Sequence, residues 1–507
     1  MNRIILFLSA IFISQFCVAQ VYNVRDYGAV GDGVHPDHIA INKAIDACAA
    51  HGGGEVLVPA GKYLCGSIRL KSNINLYIDA GASIIGAPES MNVYDTPETF
   101  IGKQYQDGGH TFFHNSLIWG ENLTNVSITG RGTIDGGGLT KKDTEHAGNV
   151  EGGSIGTGDK AVALKLCRNV LIRDVTIYHG GHFGIIITGC ELVTVDNVMI
   201  DTNRDGIDID ACKHVMVSNC KVNTPNDDAI VLKSSYALNK VVPCENVLIT
   251  NCTVTGYDEG SLLDGTYKPH PVNWVCGRIK LGTESNGGYR NITISNCTCL
   301  YSNGIALEEV DQGKMENIVI NNISMSHTHY YPIYITTGKR NRGPKERTDT
   351  SFGGNIQISN ITVDDADSFS GIQLCGLPEK PLENIRLSNI QINYRGGGSE
   401  EEGTKAYKEL GTGYPEPMLI GRCPAYGLYV NHVNGLDLSQ ITFRTAQEDR
   451  RPAVIMKDAK NVYVNHLEAP EVTGISLARF DNTKNVTIID SPVFDRLYGQ
   501  IRHIHSQ

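Results

Sequence analysis

One phrase returns along most of this chain. It reads NVSITG at Asn125, NVLIRDVTI at Asn169, HVMVSNCKV at His214, NVLITNCTV at Asn246 and NITISNCTC at Asn291. It continues as NIVINNISM at Asn317, NIQISNITV at Asn355, NIRLSNIQI at Asn384, NVYVNHLEA at Asn461 and NVTIIDSPV at Asn485. Each copy is a short alternating apolar segment rich in β-branched residues, then a turn, then another segment, which is a strand signature. The closest copies lie roughly 22 to 26 residues apart, a period that belongs to solenoids. A leucine-rich repeat shares that period, but its leucine framework and helical half are missing. The expected fold is therefore all-β, a single-stranded right-handed parallel β-helix. Each coil is a turn of short strands, and coils stack at about 4.8 Å so that equivalent residues form ladders. The recurring Asn and Cys are such ladder positions.

The N-terminal region departs from the repeat. PDHIAINKAIDACAAHGGG reads as a helix with Pro36 near its start and a glycine run after its end. A helix there would cap the open end of the solenoid, which otherwise exposes apolar surface and unpaired strand edges. Residues 21–115 are thus read as cap and first coils, and 21–507 as one β-helix catalytic domain. Residues 1–20, with Arg3, the apolar run Ile4 to Ile13 and Cys17-Val18-Ala19, carry the pattern of a signal peptide. The expected protein is exported, periplasmic or extracellular, monomeric and without a membrane span. Net charge is −11, and no basic run suggests nucleic acid as a partner. The 14 cysteines are expected to be mostly free and buried, because several fall at one repeat position. Long interruptions at 94–115, 136–159, 255–273, 337–353 and 395–423 are candidate walls of a binding site.

Two acidic stretches stand out. Asn203-Arg-Asp205-Gly-Ile-Asp208-Ile-Asp210 precedes Asn226-Asp227-Asp228 by about one coil. On adjacent coils Asp205 and Asp227 would lie about 5 Å apart, with Asp228 beside them. Carboxylates so close cannot all ionise freely, so at least one pKa should rise. A raised carboxyl can donate a proton while an ionised neighbour activates water, the division of labour of inverting glycoside hydrolysis. Turn residues or a calcium site are the alternatives. Asp208 and Asp210 alternate along the strand and read as structural. No spacing demands a metal or cofactor.

Those residues resemble a family. Asn203-Arg-Asp205 is similar to the Asn-x-Asp motif of the polygalacturonase-like glycoside hydrolases, family 28, and Asn226-Asp227-Asp228-Ala-Ile-Val-Leu-Lys233-Ser234 to their Asp-Asp motif in the exo-acting bacterial branch. DYGAVGDG, NVSITGRGTIDGGG and YPEPMLIGRCPAYGLYVNHV match such enzymes too. The resemblance implies that Asp227 is the general acid, that Asp205 and Asp228 position and deprotonate the attacking water, and that the substrate is a galacturonate-containing pectic polysaccharide; exo action is expected because insertions around a cleft can close one end and leave a pocket. The pattern is broken in one place. The next coil reads Cys276-Gly277-Arg278-Ile279-Lys280-Leu281-Gly282-Thr283-Glu284, with Gly277 where a Gly-His-Gly motif would carry its histidine and an Arg-Ile-Lys motif one coil early. Arg278 and Lys280 share a strand face and could hold a uronate carboxylate, or could form salt bridges to nearby acids. Asn203, Lys233, Arg278, Lys280, Glu284 and His182 are the expected substrate-binding residues. His179 is a weaker candidate, as is a stacking platform of His327, His329, Tyr330 and Tyr331. The competing readings are a calcium-dependent polysaccharide lyase with Arg278 or Lys280 as base, and a non-catalytic glycan-binding protein.

Overall fold

The computed structural model describes residues 21–494 and 497–506, apart from 107, 138, 140–158 and 273. The expected signal peptide and most of the 136–159 interruption lie outside the described residues. The rest winds into a right-handed parallel β-helix. Two successive coils show the plan. Strands Phe183–Thr188, Glu191–Asp196 and Met199–Asp201 make one turn, and Asp205–Asp210, Lys213–Ser218 and Lys221–Asn223 make the next. Every strand pairs in parallel with its counterpart one coil on. Toward the C-terminus two of the strands merge, giving long bent strands such as Lys314–Ser326, Phe352–Ala366 and Leu382–Tyr394.

The core is a set of stacked rows, because in-register coils place like residues above like. Ile185 and Ile187 pair with Ile207 and Ile209, then with Ile230 and Leu232, Ile279 and Leu281, and Ile305 and Leu307, all wholly or almost wholly buried. The asparagines have a different task. Asn125, Asn169, Asn246, Asn291 and Asn317 all sit at φ between 56° and 59°, a left-handed conformation that Asn tolerates far better than β-branched residues. Their side-chain amides bond coil to coil, Asn169 Nδ2 to Asn125 Oδ1 at 2.8 Å and Asn291 Nδ2 to Asn246 Oδ1 at 2.9 Å. Cys220, Cys252 and Cys297 form a buried row of small side chains, and the cysteines among the described residues are free.

The capping helix is His38–Ala50, with Ile41, Ala44, Ile45 and Cys48 buried in the main core. Asp37 before it does not cap the helix. Its carboxylate accepts the amides of Val30 and Gly31 at 2.6 and 3.0 Å instead, tying down the preceding loop. Among the described residues no helix is long and apolar enough to cross a membrane.

One strand column differs from the others. Lys213–Ser218 alternates buried and exposed, as a solenoid wall should, whereas Asp205–Asp210, Ile230–Ser234 and Asn303–Glu309 are buried on both faces. Something roofs that column, and its outward side chains are charged.

Candidate active site

The roofed column carries both acidic motifs. Its register corrects one expectation. Ile207 pairs with Ile230 and Asp210 with Lys233, a step of 23 residues, so the counterpart of Asp205 is Asp228, and Arg204 stands opposite Asp227. The three carboxylates still converge. Oxygens of Asp205, Asp227 and Asp228 all lie within 4.8 Å of one another. The Asp228 amide donates to Asp205 and to Asp227, each at 3.1 Å. Asp227 is the one open to the cleft, its side chain 29% exposed, while those of Asp205 and Asp228 are 4% and 3% exposed.

Cations surround the trio. Arg204 Nη2 lies 3.0 Å from Asp227. Lys233 Nζ is 3.3 Å from both Asp205 and Asp208 and 3.6 Å from Glu284. Arg278 Nε donates to Asp228 at 2.5 Å, and Lys280 lies 3.4 Å from the other Asp228 oxygen. Lys280 also lies 3.3 Å from Glu308 and 3.8 Å from Glu416. These charges separate the carboxyls. Burial, reinforced by Asp208 and Asp227, pushes Asp205 well above the usual carboxylate range against the pull of Lys233. Burial does the same to Asp208. Burial acts upward on Asp227 too, but Arg204, a hydrogen bond from Asp205, Lys233 and Lys280 outweigh it and hold Asp227 below the usual range. The two members of the Asp205–Asp227 pair are thus pushed in opposite directions, Asp205 up and Asp227 down. Lys280 is drawn down by burial and by Arg278, yet Asp228 and Glu308 more than reverse this and keep it protonated. Three carboxylates are suitable donors for a hard cation, but lysine and arginine nitrogens already fill that role here.

The sequence-derived residues divide into those the structure gathers and those it does not. Asp205, Asp227, Asp228, Lys233, Arg278 and Lys280 form one contiguous network. Glu284 joins it through Lys233 and through Arg340 at 3.4 Å. Asn203 is half-buried and gives its carbonyl oxygen to the Asn226 amide at 3.2 Å. His182 is buried edge-on against Phe183 at 4.4 Å and next to Gly109; Phe183 pairs with Asp205 one coil on, so His182 stands on the same column, one coil before Arg204. His179 pairs with Asp135 at 2.9 Å. Tyr331 is too buried to stack on a sugar, and its hydroxyl accepts a hydrogen bond from Arg278. Tyr330 is half-buried beside Trp274, 6.2 Å between ring centres. Asp208, read from sequence as structural, is wholly buried and ion-paired with Lys233. Arg278 and Lys280 have their donors engaged by protein carboxylates, which is the salt-bridge alternative.

Sequence reasoning missed Arg204, Glu308 and Glu416. Arg204 could have been found from its place inside the Asn-x-Asp motif. Glu416 is 138 residues from Arg278, and no local pattern announces it.

The interruptions are the roof. His110, from the first, lies 3.2 Å from Lys233. His270, from the third, bonds Asn226 at 3.1 Å. Arg340 brings the fourth onto Glu284. From the fifth, Glu416 meets Arg278, and the Tyr414 hydroxyl meets Thr283 at 2.9 Å. The break in the motif also has a structural reason. Gly277 adopts φ 61°, its amide donates to the Asp227 carbonyl at 3.0 Å, and a Cβ there would lie 2.3 Å from the Thr255 carbonyl oxygen. A histidine does not fit at this position.

The chain is similar to several known proteins. A protein-family profile described as rhamnogalacturonase A/epimerase, pectate lyase-like, matches residues 21–230. A probable polygalacturonase of Vitis vinifera is 24% identical over 396 residues, covering 74% of this chain and 75% of that protein. An exo-poly-alpha-D-galacturonosidase of Dickeya chrysanthemi is 25% identical over 436 residues, covering 74% and 68%. Among solved structures, the family 28 exopolygalacturonase of Yersinia enterocolitica superposes with a TM-score of 0.63 at 19% identity, covering 92% of this chain and 78% of that one.

Proposed function

Taking as premise that the chain is a polygalacturonase-like glycoside hydrolase of the family 28 type, we propose that it is an exported, exo-acting enzyme. In this reading it hydrolyses a galacturonate bond in pectic polysaccharide, with inversion. The observation that carries the reading is the convergence of three carboxyls in different settings: one open beside Arg204, one buried beside Lys233, one buried against Arg278 and Lys280; in this reading the proton of the Asp205–Asp227 pair rests on Asp205.

Arg204, its side chain 25% exposed, is more accessible than Lys233, Arg278 and Lys280, and a uronate carboxylate can reach it. A substrate that draws Arg204 from Asp227 removes what holds Asp227 ionised. The proton then crosses the Asp205–Asp227 hydrogen bond. Asp227 becomes the acid that protonates the leaving oxygen, and Asp205 becomes a carboxylate beside Asp228. Those two hold and deprotonate the water whose oxygen bonds to the anomeric carbon as the glycosidic bond breaks.

Separations under about 5.5 Å are usual for retaining enzymes, which use a carboxylate as nucleophile. Burial argues the other way here, because Asp205 and Asp228 are too enclosed to touch an anomeric carbon while a water above them is not. Four interruptions crowding one column favour a pocket over a through-going groove, hence exo action. The N-terminal signal pattern fits a polymer met outside the cell. Proton NMR of the first-formed product tests the reading. The α-linked substrate should yield the β-anomer, and initial release of the α-anomer would refute it. A calcium-dependent lyase would need a neutral base, and Lys280 is held protonated.

A further inference from the structure

Arg278 is buried and its donors are used. Nε goes to Asp228, Nη1 to the Tyr331 hydroxyl and to Glu416 Oε2 at 3.1 Å, and Nη2 to Glu416 Oε1 at 2.5 Å. The two bonds to Glu416 are the forked pairing by which a guanidinium seats any carboxylate, a uronate included. Here the protein supplies the carboxylate. Glu416 is 4% exposed and stands at the start of the helical turn Pro417–Ile420, with Tyr414 pinned to Thr283 just before it. Lys280, the other cation on this face, is shared among Asp228, Glu308 and Glu416. On the Arg278 side of the trio, cations and acids thus cancel before any substrate arrives. An incoming uronate would have to evict Glu416 or lie against the carboxylates of Asp228 and Glu416. A sugar without charge faces neither obstacle.

We propose that Glu416 is a specificity-determining residue: by filling the Arg278 fork it makes the subsite on this side of the scissile bond accept a neutral sugar and reject a uronate. The inference deepens the hydrolase reading and rests on it. It places a galacturonate toward Arg204 and a neutral partner, such as a deoxyhexose or an esterified uronate, toward Arg278. Glu416 acts through Arg278, so its signature is a change in preference and not merely in rate.

The test compares matched pectic oligosaccharides that differ only at that residue: galacturonate as free acid, its methyl ester, and rhamnose. The wild type should show kcat/KM at least about tenfold higher for the ester and the rhamnose compound than for the free acid, the low end of what a single group difference in a pocket discriminates. Glu416→Gln keeps the side-chain shape and one acceptor but leaves Arg278 with unbalanced charge. It should move the acid-to-ester ratio toward the acid by about tenfold, and added salt should erase that gain, since the new attraction is between charges. Oligosaccharides that are not cut are scored by calorimetric binding to the same wild-type protein. Neutral preference in binding without cleavage would sink the hydrolase reading and leave the inference standing. A wild type that prefers the free acid overturns the inference alone, as does a Glu416→Gln variant that lowers all three substrates equally. A protein that neither binds nor cuts the set overturns both.

Discussion

Replacing Arg204 by Gln removes the charge 3.0 Å from Asp227 while keeping a side chain of similar reach. At that distance the Coulomb attraction is about 5 kcal/mol for an effective dielectric of about 20. The two side chains are 25% and 29% exposed, so solvent screening takes a good part of it, and a shift of about 1 to 3 pKa units is the realistic range. The sign follows from the charge. Loss of a cation raises the carboxyl pKa, so the proton of the Asp205–Asp227 pair is retained to higher pH. The assay is the pH dependence of kcat/KM, which reports the free enzyme, and of kcat, which reports the complex. In Arg204→Gln the alkaline limb of kcat/KM should move up by about 1 to 3 units, and it belongs to the pair, not to one residue. The limb of kcat should move much less, because bound substrate has already drawn Arg204 away. Arg204→Lys should stay near the wild type in both. A kcat/KM limb that does not move would show that Arg204 does not set the proton's position, and the proposed transfer would fail with it.

Two further outcomes follow from the core and its buried acids. Burial pushes Glu309 up to about 8, against the amides of Gly313 and Asp311 that favour its ionised form. A folded-state pKa above the unfolded one stabilises fully below the unfolded value near 4.5, and that contribution is lost as pH rises through 8. At about 1.4 kcal/mol per unit, the loss is on the order of a few kcal/mol; Glu309→Gln should flatten the fall of Tm between pH 5 and pH 8, and an unchanged slope would contradict the assignment. The described cysteines are free, so reductant should leave Tm unchanged, whereas breaking one native disulfide would cost about 2 to 4 kcal/mol and show as a clear drop.

The solenoid was legible because its two requirements both leave marks in the side chains. Inward positions must be β-branched or leucine, and the left-handed corner must be Asn or a close substitute, so the period shows in composition as well as in spacing. The site was legible only in outline. The coil between the acidic motifs takes 23 residues and not 22, since the 224–227 turn holds one more. That single residue puts Arg204, and not Asp205, opposite Asp227, and counting between aspartates cannot reveal it. Asp208 was read as structural from its place on the strand; its burial beneath the interruptions and its pairing with Lys233 were not legible, because an outward side chain on a solenoid normally meets water. Glu416 escaped notice for the same reason: its partner Arg278 lies 138 residues away in sequence, and the contact is made by a loop whose path no periodicity describes.

The central claim is that Asp227 protonates a glycosidic oxygen, and a product assay with wild type and Asp227→Asn tests it most directly. Both proteins would be incubated with polygalacturonate and with rhamnogalacturonan fragments, with and without chelator. The account expects saturated products carrying a new galacturonate reducing end from the wild type, indifferent to chelator, and a rate lower by about a hundredfold or more in the variant. An Asp227→Asn variant at full rate would contradict it, and so would an unsaturated, ultraviolet-absorbing product that disappears with chelator.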